Sequence, residues 1–332
     1  MSIIYVTGNK EKLSVNANYL RLTEDGVEKQ VFPIETIECI CVIGNVQLTT
    51  QCIKTCMEKG IRIAYYTEFG KLCGVVQSMN HIHVDLERKQ VLLGENEFAC
   101  ILGKNILQAK VHNQWVYLNR MSRKRGIDVS TELKQIRNSE NKLDNMGDLS
   151  QLMGYEGIAA RYYFQGLSKL LPEEFRFQKR TKRPPKDPFN AMLSYGYAIV
   201  MDEIYGKLLE RGLNPYFGFI HKDKNHHAAL VSDLIEEWRT VLIDSLVYSL
   251  ISEKEILINQ FERLSNEAVC ISKEGKKIFF RKFERKMNME TKYLSYLDFP
   301  VDFRKAIEFQ ITSLIEAIEK NNPYVYTPIR IR

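Results

Sequence analysis

Between Gly218 and Arg239 the chain reads GFIHKDKNHHAALVSDLIEEWR, which places His221 just ahead of a helical stretch carrying Asp233, Glu236 and Glu237. An imidazole and several carboxylates are donors for a divalent ion such as Mn2+ or Mg2+, and no cysteine stands nearby to suggest structural zinc. An open octahedral site of that kind does phosphate chemistry. Taken alone, the stretch also reads as a solvated acidic helix. Leu230, Leu234, Trp238, Val241, Leu242 and Leu246 define an apolar side, while Asp233, Glu236, Glu237, Thr240 and Asp244 fall opposite.

A second acid tips the balance. Leu149, Leu152, Met153, Glu156, Ala160, Tyr163, Phe164 and Leu167 recur at three- and four-residue steps, the spacing of a core-facing helical stripe. Glu156 therefore points where neighbours bury apolar groups. An ionised carboxylate there needs a partner, so it is protonated, paired with a cation such as Arg161, or bound to metal. Gly154 and Gly157 remove bulk beside it, which would let another segment or a ligand come close.

The elements that must position these residues follow from periodicity. Up to residue 80, runs such as SIIYVT, CICVIG and IRIAYY are broken by Gly and Asn turns, with one helix near Thr50 to Glu58. A link over 81–86 follows. Helical periodicity then dominates over 87–121, 130–171, 188–212, 228–251, 253–265 and 302–319, with Gly or Pro at several boundaries. The expected fold is α+β: a β-rich domain over 1–80 and a larger, mainly α-helical domain over 87–332. Five cysteines, Cys39, Cys41, Cys52, Cys56 and Cys73, crowd the first quarter, but their strand and helix spacing suits small buried hydrophobes rather than a zinc site. His226 and His227 cannot share a face and read as a solvated loop.

Composition narrows the function classes. The 332 residues are 45% hydrophobic and carry a net charge of +6. That describes a globular chain with a sizeable core. No signal-peptide pattern and no apolar run long enough to span a bilayer occur, and the seven cysteines lack paired metal spacing, so a reduced, cytoplasmic chain is expected. Walker and dinucleotide motifs are missing too. Residues 1–85 hold eight Lys or Arg against nine Asp or Glu, a net −1, which leaves +7 for the remainder. The excess concentrates in Arg120, Arg123, Lys124 and Arg125, in Lys179, Arg180, Lys182, Arg183 and Lys186, and in Lys273 to Lys286 with Phe279, Phe280 and Phe283 interleaved. Such clusters either bind phosphates by counterion release or are ordinary surface charge. Pro184 and Pro185 hold the middle cluster extended.

Four of these stretches, in order, carry a resemblance. FPIETIECICVIGNVQLTTQCIKTCMEKGIRIAYYTEFGKLCG, GYEGIAARYYF, RPPKDPFNAMLSYGY and GFIH followed by DLIEEWR are similar to the CRISPR adaptation integrases, the Cas-one endonuclease family. The resemblance spans nearly the whole chain. It implies a metal-dependent DNA endonuclease or integrase of antiviral defence, in which a DNA 3′-hydroxyl attacks a phosphodiester at the edge of a CRISPR repeat. The family's metal ligands fall on Glu156, His221 and Glu236, with Asp233 a rival for the last place and His221 alternatively a general acid. Lys179, Arg180, Lys182 and Arg183 would hold DNA phosphates. Asn190, Tyr195 and Arg239 are weaker candidates for orienting ligands or DNA. The resemblance also implies double-stranded DNA partners (prespacer and repeat), homodimers through the β domain, and a small ferredoxin-like second subunit. Two rivals remain: a general nuclease of branched or single-stranded DNA, and a non-catalytic DNA scaffold.

Overall fold

The computed structural model describes residues 2–8, 10–67, 72–76, 78, 83–144, 148–265, 267–292 and 297–331. The chain divides into two compact units, Met1–Ile82 and His83–Arg332. Of the expected link over 81–86, residues 81 and 82 lie outside the described residues, and Val84 to Leu86 already form the first turn of a helix.

The first unit contains β1 (Ser2–Gly8), β2 (Glu11–Asn16), β3 (Tyr19–Glu24), β4 (Val27–Pro33), β5 (Ile37–Gly44), β6 (Gln47–Leu48), α1 (Thr50–Glu58), β7 (Arg62–Tyr66) and β8 (Leu72–Val76). They form two four-stranded sheets, ordered β1-β5-β7-β8 and β4-β3-β2-β6. The neighbours β1, β5 and β7 run parallel, and β2, β3 and β4 antiparallel. Asp25 and Gly26 both take positive φ at the β3–β4 turn, the backbone a tight hairpin needs. Ile4, Leu13, Leu20, Ile40, Ile63, Cys52 and Cys56 pack together as its core. Cys39 and Cys41 are buried as well, whereas Cys73 is exposed, so the buried role fails for that one.

The second unit is mainly helical, as its periodicity requires. It runs through α2 (Val84–Leu93), α3 (Glu97–Arg125), α4 (Ser130–Leu143), α5 (Leu149–Lys169), α6 (Pro188–Glu210), α7 (Ala229–Trp238), α8 (Ser245–Ser252), α9 (Lys273–Met287) and α10 (Phe303–Glu319). Asn96, Asp148, Asp187, Ser272 and Asp302 cap the N-termini of α3, α5, α6, α9 and α10. These caps explain why two long periodic stretches divide. Residues 87–121 break at Asn96 and 130–171 break before Asp148, because each side chain satisfies N–H groups that a continuing helix would bond itself. Between α7 and α8, Arg239–Asp244 forms a π-helical turn where 228–251 reads as one helix. The expected helix over 253–265 is not formed. Lys254 adopts a left-handed φ of 57°, and the chain enters β9 (Phe261–Arg263), antiparallel to β10 (Val269–Ile271). Conversely, the basic stretch at Lys273 is a helix whose Phe279, Phe280 and Phe283 are buried.

The C-terminal segment is tied beneath α3 and α7. Asn113, fully buried on α3, donates from Nδ2 to the carbonyls of Glu237 and Ile329, and its Oδ1 accepts from Ile331 N at 2.9 Å. The Glu237 carboxylate accepts from Tyr326 Oη at 2.5 Å and from Ile329 N at 2.6 Å. Burial nevertheless pushes this carboxyl up to about 8 from its ordinary 4.5, with those two donors opposing the rise. The folded chain then holds a proton that the unfolded chain releases near 4.5. The contribution is full below that pH and is lost as pH climbs through the folded value. Thermal melts from pH 5 to 8.5 should therefore show stability falling. E237Q should flatten that profile, at about 2–4 °C per kcal/mol of difference.

Candidate active site

His221 is held from both directions. Upstream, Gln90 on α2 donates to the carbonyls of Asn214 and Phe217 at 2.8 and 2.7 Å, and its Oε1 accepts from Asn214 N. Phe219 and Ile220 are buried, with Phe219 against Phe98 at 5.6 Å between ring centres. Downstream, Asp233 collects the loop. Its Oδ2 accepts from Phe219 N (2.6 Å) and Ile220 N (3.0 Å), and its Oδ1 from His221 N (3.0 Å) and His221 Nδ1 (2.7 Å). The loop wraps so closely that a Cβ on Gly218 would lie 2.8 Å from Asp233 Oδ2.

That geometry separates the two rival acids. Both oxygens of Asp233 are committed to the loop, and the residue is fully buried. It fixes His221 with Nδ1–H donated inward, leaving Nε2 as the free nitrogen. Glu236, one turn on, faces different partners. The expectation of a solvated acidic face fails for α7: Asp233, Glu236, Glu237 and Asp244 are all at most 5% exposed. Each has its own donors, which is how a carboxylate survives out of water.

Glu236 meets Glu156 at a shared cation. Lys110, from α3, places Nζ 2.5 Å from Glu156 Oε1 and also in contact with Glu236 Oε2. Arg239 Nε donates to the same Glu236 oxygen at 3.0 Å. Burial opposes the charge on Glu236, but Arg239 and Lys110 overcome it and hold the carboxyl well below its usual range. Lys110 is likewise opposed by burial and pushed up by Glu156 and Glu236. Glu156 is thus paired with Lys110. Arg161 instead lies over the Tyr162 ring at 4.9 Å. The stripe reading overstates the depth of Glu156, whose side chain keeps 18% of its exposure, and nothing lies within 4 Å of a Cβ built on Gly154 or Gly157. The side of α5 that carries these glycines is open, and Glu156 lies round the helix from it.

Two carboxylate oxygens already gathered on one cation suit a hard divalent ion. The third ligand is less close. Among the described residues, Glu156, His221 and Glu236 do not bring one ligand atom each within 4.8 Å of one another. The oxygen pair fits the metal, and closure onto His221 needs a local shift.

Behind the pair, Asp244 accepts from Tyr163 Oη on α5 at 3.0 Å and from Tyr197 Oη on α6. The Arg239 guanidinium lies over the Tyr197 ring at 4.5 Å. Asp244 stands on the π-helical turn and Tyr163 two turns beyond Glu156, so this clamp ties the supports of both glutamates.

The expected DNA contacts divide. Lys179, Lys182 and Arg183 are exposed. Lys182, its chain exposed, feels the charges of the site: partial burial and Arg239 push its amine down, with Glu236 opposing. Arg180 is instead turned inward, its guanidinium bonding Asn190 Oδ1 at 2.8 Å and Ser194 Oγ at 3.1 Å. Tyr195 is 3% exposed, packed edge-on against Phe279 and Phe280. These two do not face a phosphate. Asn190, fully buried, donates to Lys179 O and Asp187 Oδ2, so it shapes the basic segment rather than orienting a ligand. Pro185 O accepts from Val269 N, keeping that segment extended. His227 is a second correction. It is partly buried, with its ring 5.8 Å from that of His221. The sequence reading missed Lys110, although Ile106, Lys110, Asn113 and Tyr117 repeat at helical steps and mark a cation on a buried stripe.

The sequence family described as CRISPR associated protein Cas1 matches residues 4–285. A CRISPR-associated endonuclease Cas1 from Mycobacterium tuberculosis is 30% identical over 322 residues, covering 96% of this chain and 95% of that protein. A casposase bound to integration product superposes with a TM-score of 0.85 at 21% identity, over 97% of this chain and 92% of that one. A chain of a Cas6-RT-Cas1–Cas2 complex gives 0.85 at 23% identity, over 100% of this chain and 36% of that one. At these identities the two structures speak for the fold.

Replacing Asp233 tests the loop assignment. D233N puts an amide N–H₂ among four donors, so it should cost about 2–4 kcal/mol in chemical denaturation. It should also free the His221 ring, seen as loss of its protected Nδ1 proton by NMR. An unchanged imidazole spectrum would contradict the assignment.

Proposed function

The chain belongs to the Cas1 family of CRISPR-associated proteins, and we propose that it is a metal-dependent integrase that inserts new spacers into a CRISPR array. The observation that carries this reading is the meeting of Glu156 and Glu236, from separate helices, on one cation beside the exposed Lys182. A scaffold that only bound DNA would have no need to gather two acids next to its phosphate-binding lysine.

In the reaction proposed, a DNA 3′-hydroxyl attacks a phosphodiester at the repeat edge, forming one P–O bond as the bond to the leaving oxygen breaks. A Mn2+ or Mg2+ ion, when bound, would supply Lewis-acid polarisation of that phosphate. Glu156 and Glu236 would hold it. His221, its Nδ1 pinned by Asp233, presents Nε2 either as third ligand or, protonated, as donor to the leaving oxygen. Asp233 is a positioning residue in both versions. Lys179, Lys182 and Arg183 hold backbone phosphates, and Arg239 keeps Glu236 ionised and aimed. The same reading gives the first unit a homodimer interface and gives the chain a small ferredoxin-like second subunit, in the cytoplasm. The likeness to a chain of a Cas6-RT-Cas1–Cas2 complex is in keeping with the latter partner. No helix among the described residues is long and apolar enough to cross a membrane.

Products distinguish integration from general nuclease action: ligated insertion junctions on a repeat-bearing duplex against cut strands alone. E156A should lower strand transfer in Mn2+ by about 10²-fold or more, as loss of a catalytic group does. Full activity would overturn the reading. H221A should abolish turnover while leaving salt-dependent DNA affinity nearly intact. Lys182→Ala should weaken DNA binding and reduce the salt slope by about one.

A further inference from the structure

We infer that Lys110 is a resident counter-cation of the catalytic carboxylates. It holds Glu156 and Glu236 together in the metal-free protein, and it must leave them for a divalent ion to enter. This rests on the metal reading above and adds a consequence: metal and DNA bind cooperatively through one lysine.

Lys110 Nζ touches Glu156 Oε1 and Glu236 Oε2 together, and the three side chains are 10%, 18% and 6% exposed. A divalent ion held by the same two carboxylates would compete with the ammonium for that space. The two cannot coexist there, both sterically and because like charges at such range repel strongly in a partly dehydrated site.

Charge gives the second step. Two carboxylates stand against Lys110 and Arg239, so the cluster is formally neutral before any metal arrives. Exchanging Lys110 for a divalent ion leaves one excess positive charge on the carboxylates and Arg239, and a displaced ammonium without its partners, which is unfavourable among poorly solvated groups without further anions. A DNA phosphodiester supplies one. Glu156 keeps 18% of its side-chain exposure, so a phosphate can approach the pair, and Lys182 is an exposed cation that feels Glu236. The displaced Lys110 ammonium, on a flexible four-carbon stem, then pairs with a phosphate oxygen. Linkage makes the coupling reciprocal: DNA tightens metal binding by the factor that metal tightens DNA binding. The free protein would accordingly hold metal weakly and assemble its site only on DNA. Lys110 is a positioning residue in this scheme, since it acts by holding and then yielding the carboxylates.

The test is Mn2+ binding, measured by electron paramagnetic resonance on the full chain, with and without a short duplex. The wild type, K110M, K110Q and E156Q are compared. The wild type should bind Mn2+ weakly alone and at least about tenfold more tightly with DNA. K110M should bind about tenfold more tightly than wild type without DNA, and most of the DNA effect should vanish. K110M should also melt lower than wild type in chelator and gain more from added Mn2+. K110Q keeps hydrogen-bond donors without the charge, so it should bind Mn2+ as K110M does while folding more readily in chelator. Equal Mn2+ affinity of wild type, K110M and K110Q, with E156Q abolishing it in the wild type, would overturn the inference and leave the metal site standing. Mn2+ binding unaffected by E156Q would overturn the metal reading itself, and this inference with it.

Discussion

Burying Asp233, Glu236, Glu237 and Asp244 within one short stretch is the constraint to which the second unit answers. An acid out of water needs donors, and a single helix cannot supply them, because its own N–H groups are spent on its own carbonyls. The donors come from elsewhere in the chain. Asp233 takes the backbone of the His221 loop, Glu236 takes α3 and Arg239, Glu237 takes the C-terminal segment, and Asp244 takes tyrosines of α5 and α6. Each acid therefore fastens a different element onto α7. The apolar side of that helix, with Leu230, Leu234 and Trp238 fully buried, supplies the packing against which these polar joints close.

Two of the joints bear on chemistry and two on architecture. Glu236 and Glu237 are adjacent, so they leave the helix about 100° apart. One turns to Glu156 and the other to the C-terminal segment. The π-helical turn adjusts the fourth acid. In an uninterrupted α-helix the eight residues from Glu236 to Asp244 would rotate about 80° past two full turns. The wider turn over Arg239–Asp244 advances less per residue and takes back much of that rotation. Asp244 is thereby brought round to Tyr163, on the helix that also carries Glu156. The separation of Glu156 and Glu236 is thus set two turns away from them, by a hydrogen-bonded contact inside the core.

Much of this was legible in the sequence, and the gaps have physical causes. A charged residue on an apolar stripe is a local signal, which is why Glu156 stands out. Lys110 carries the same signal on α3, but it sits among Asn113 and Gln114, which blur the stripe. The burial of α7 was not legible. Periodicity reports that acids share a face and is silent on whether water or another part of the chain meets that face. The donors to Asp233 are backbone N–H groups, which no side-chain pattern reveals. Proximity in sequence to the basic segment says nothing about the direction of a side chain on α6: Tyr195 turns into the core, and Asn190, buried too, braces the segment from within. The strand at 261–263 was lost because three residues are too few to show an alternation.

The cations complete the logic of the acids. Lys110, Arg180 and Arg239 are turned inward and already have partners, two of them on Glu236 and one on Asn190 and Ser194. Near the C-terminal end of α9, Lys286 is half-buried against Ser245, and Lys282 is paired with Glu253 and Glu255. A count of basic residues therefore overstates what is offered to DNA. What remains outward in the middle cluster is Lys179, Lys182, Arg183 and Lys186, the last paired with Glu267, on a segment held extended by the Pro185 and Asn190 contacts. Exposed cations on a braced segment can meet successive phosphates, whereas the inward ones neutralise the acids that would otherwise repel the same backbone. Both sets are needed. Without the inward cations, Glu156 and Glu236 would be two uncompensated acids that repel any phosphate brought near them.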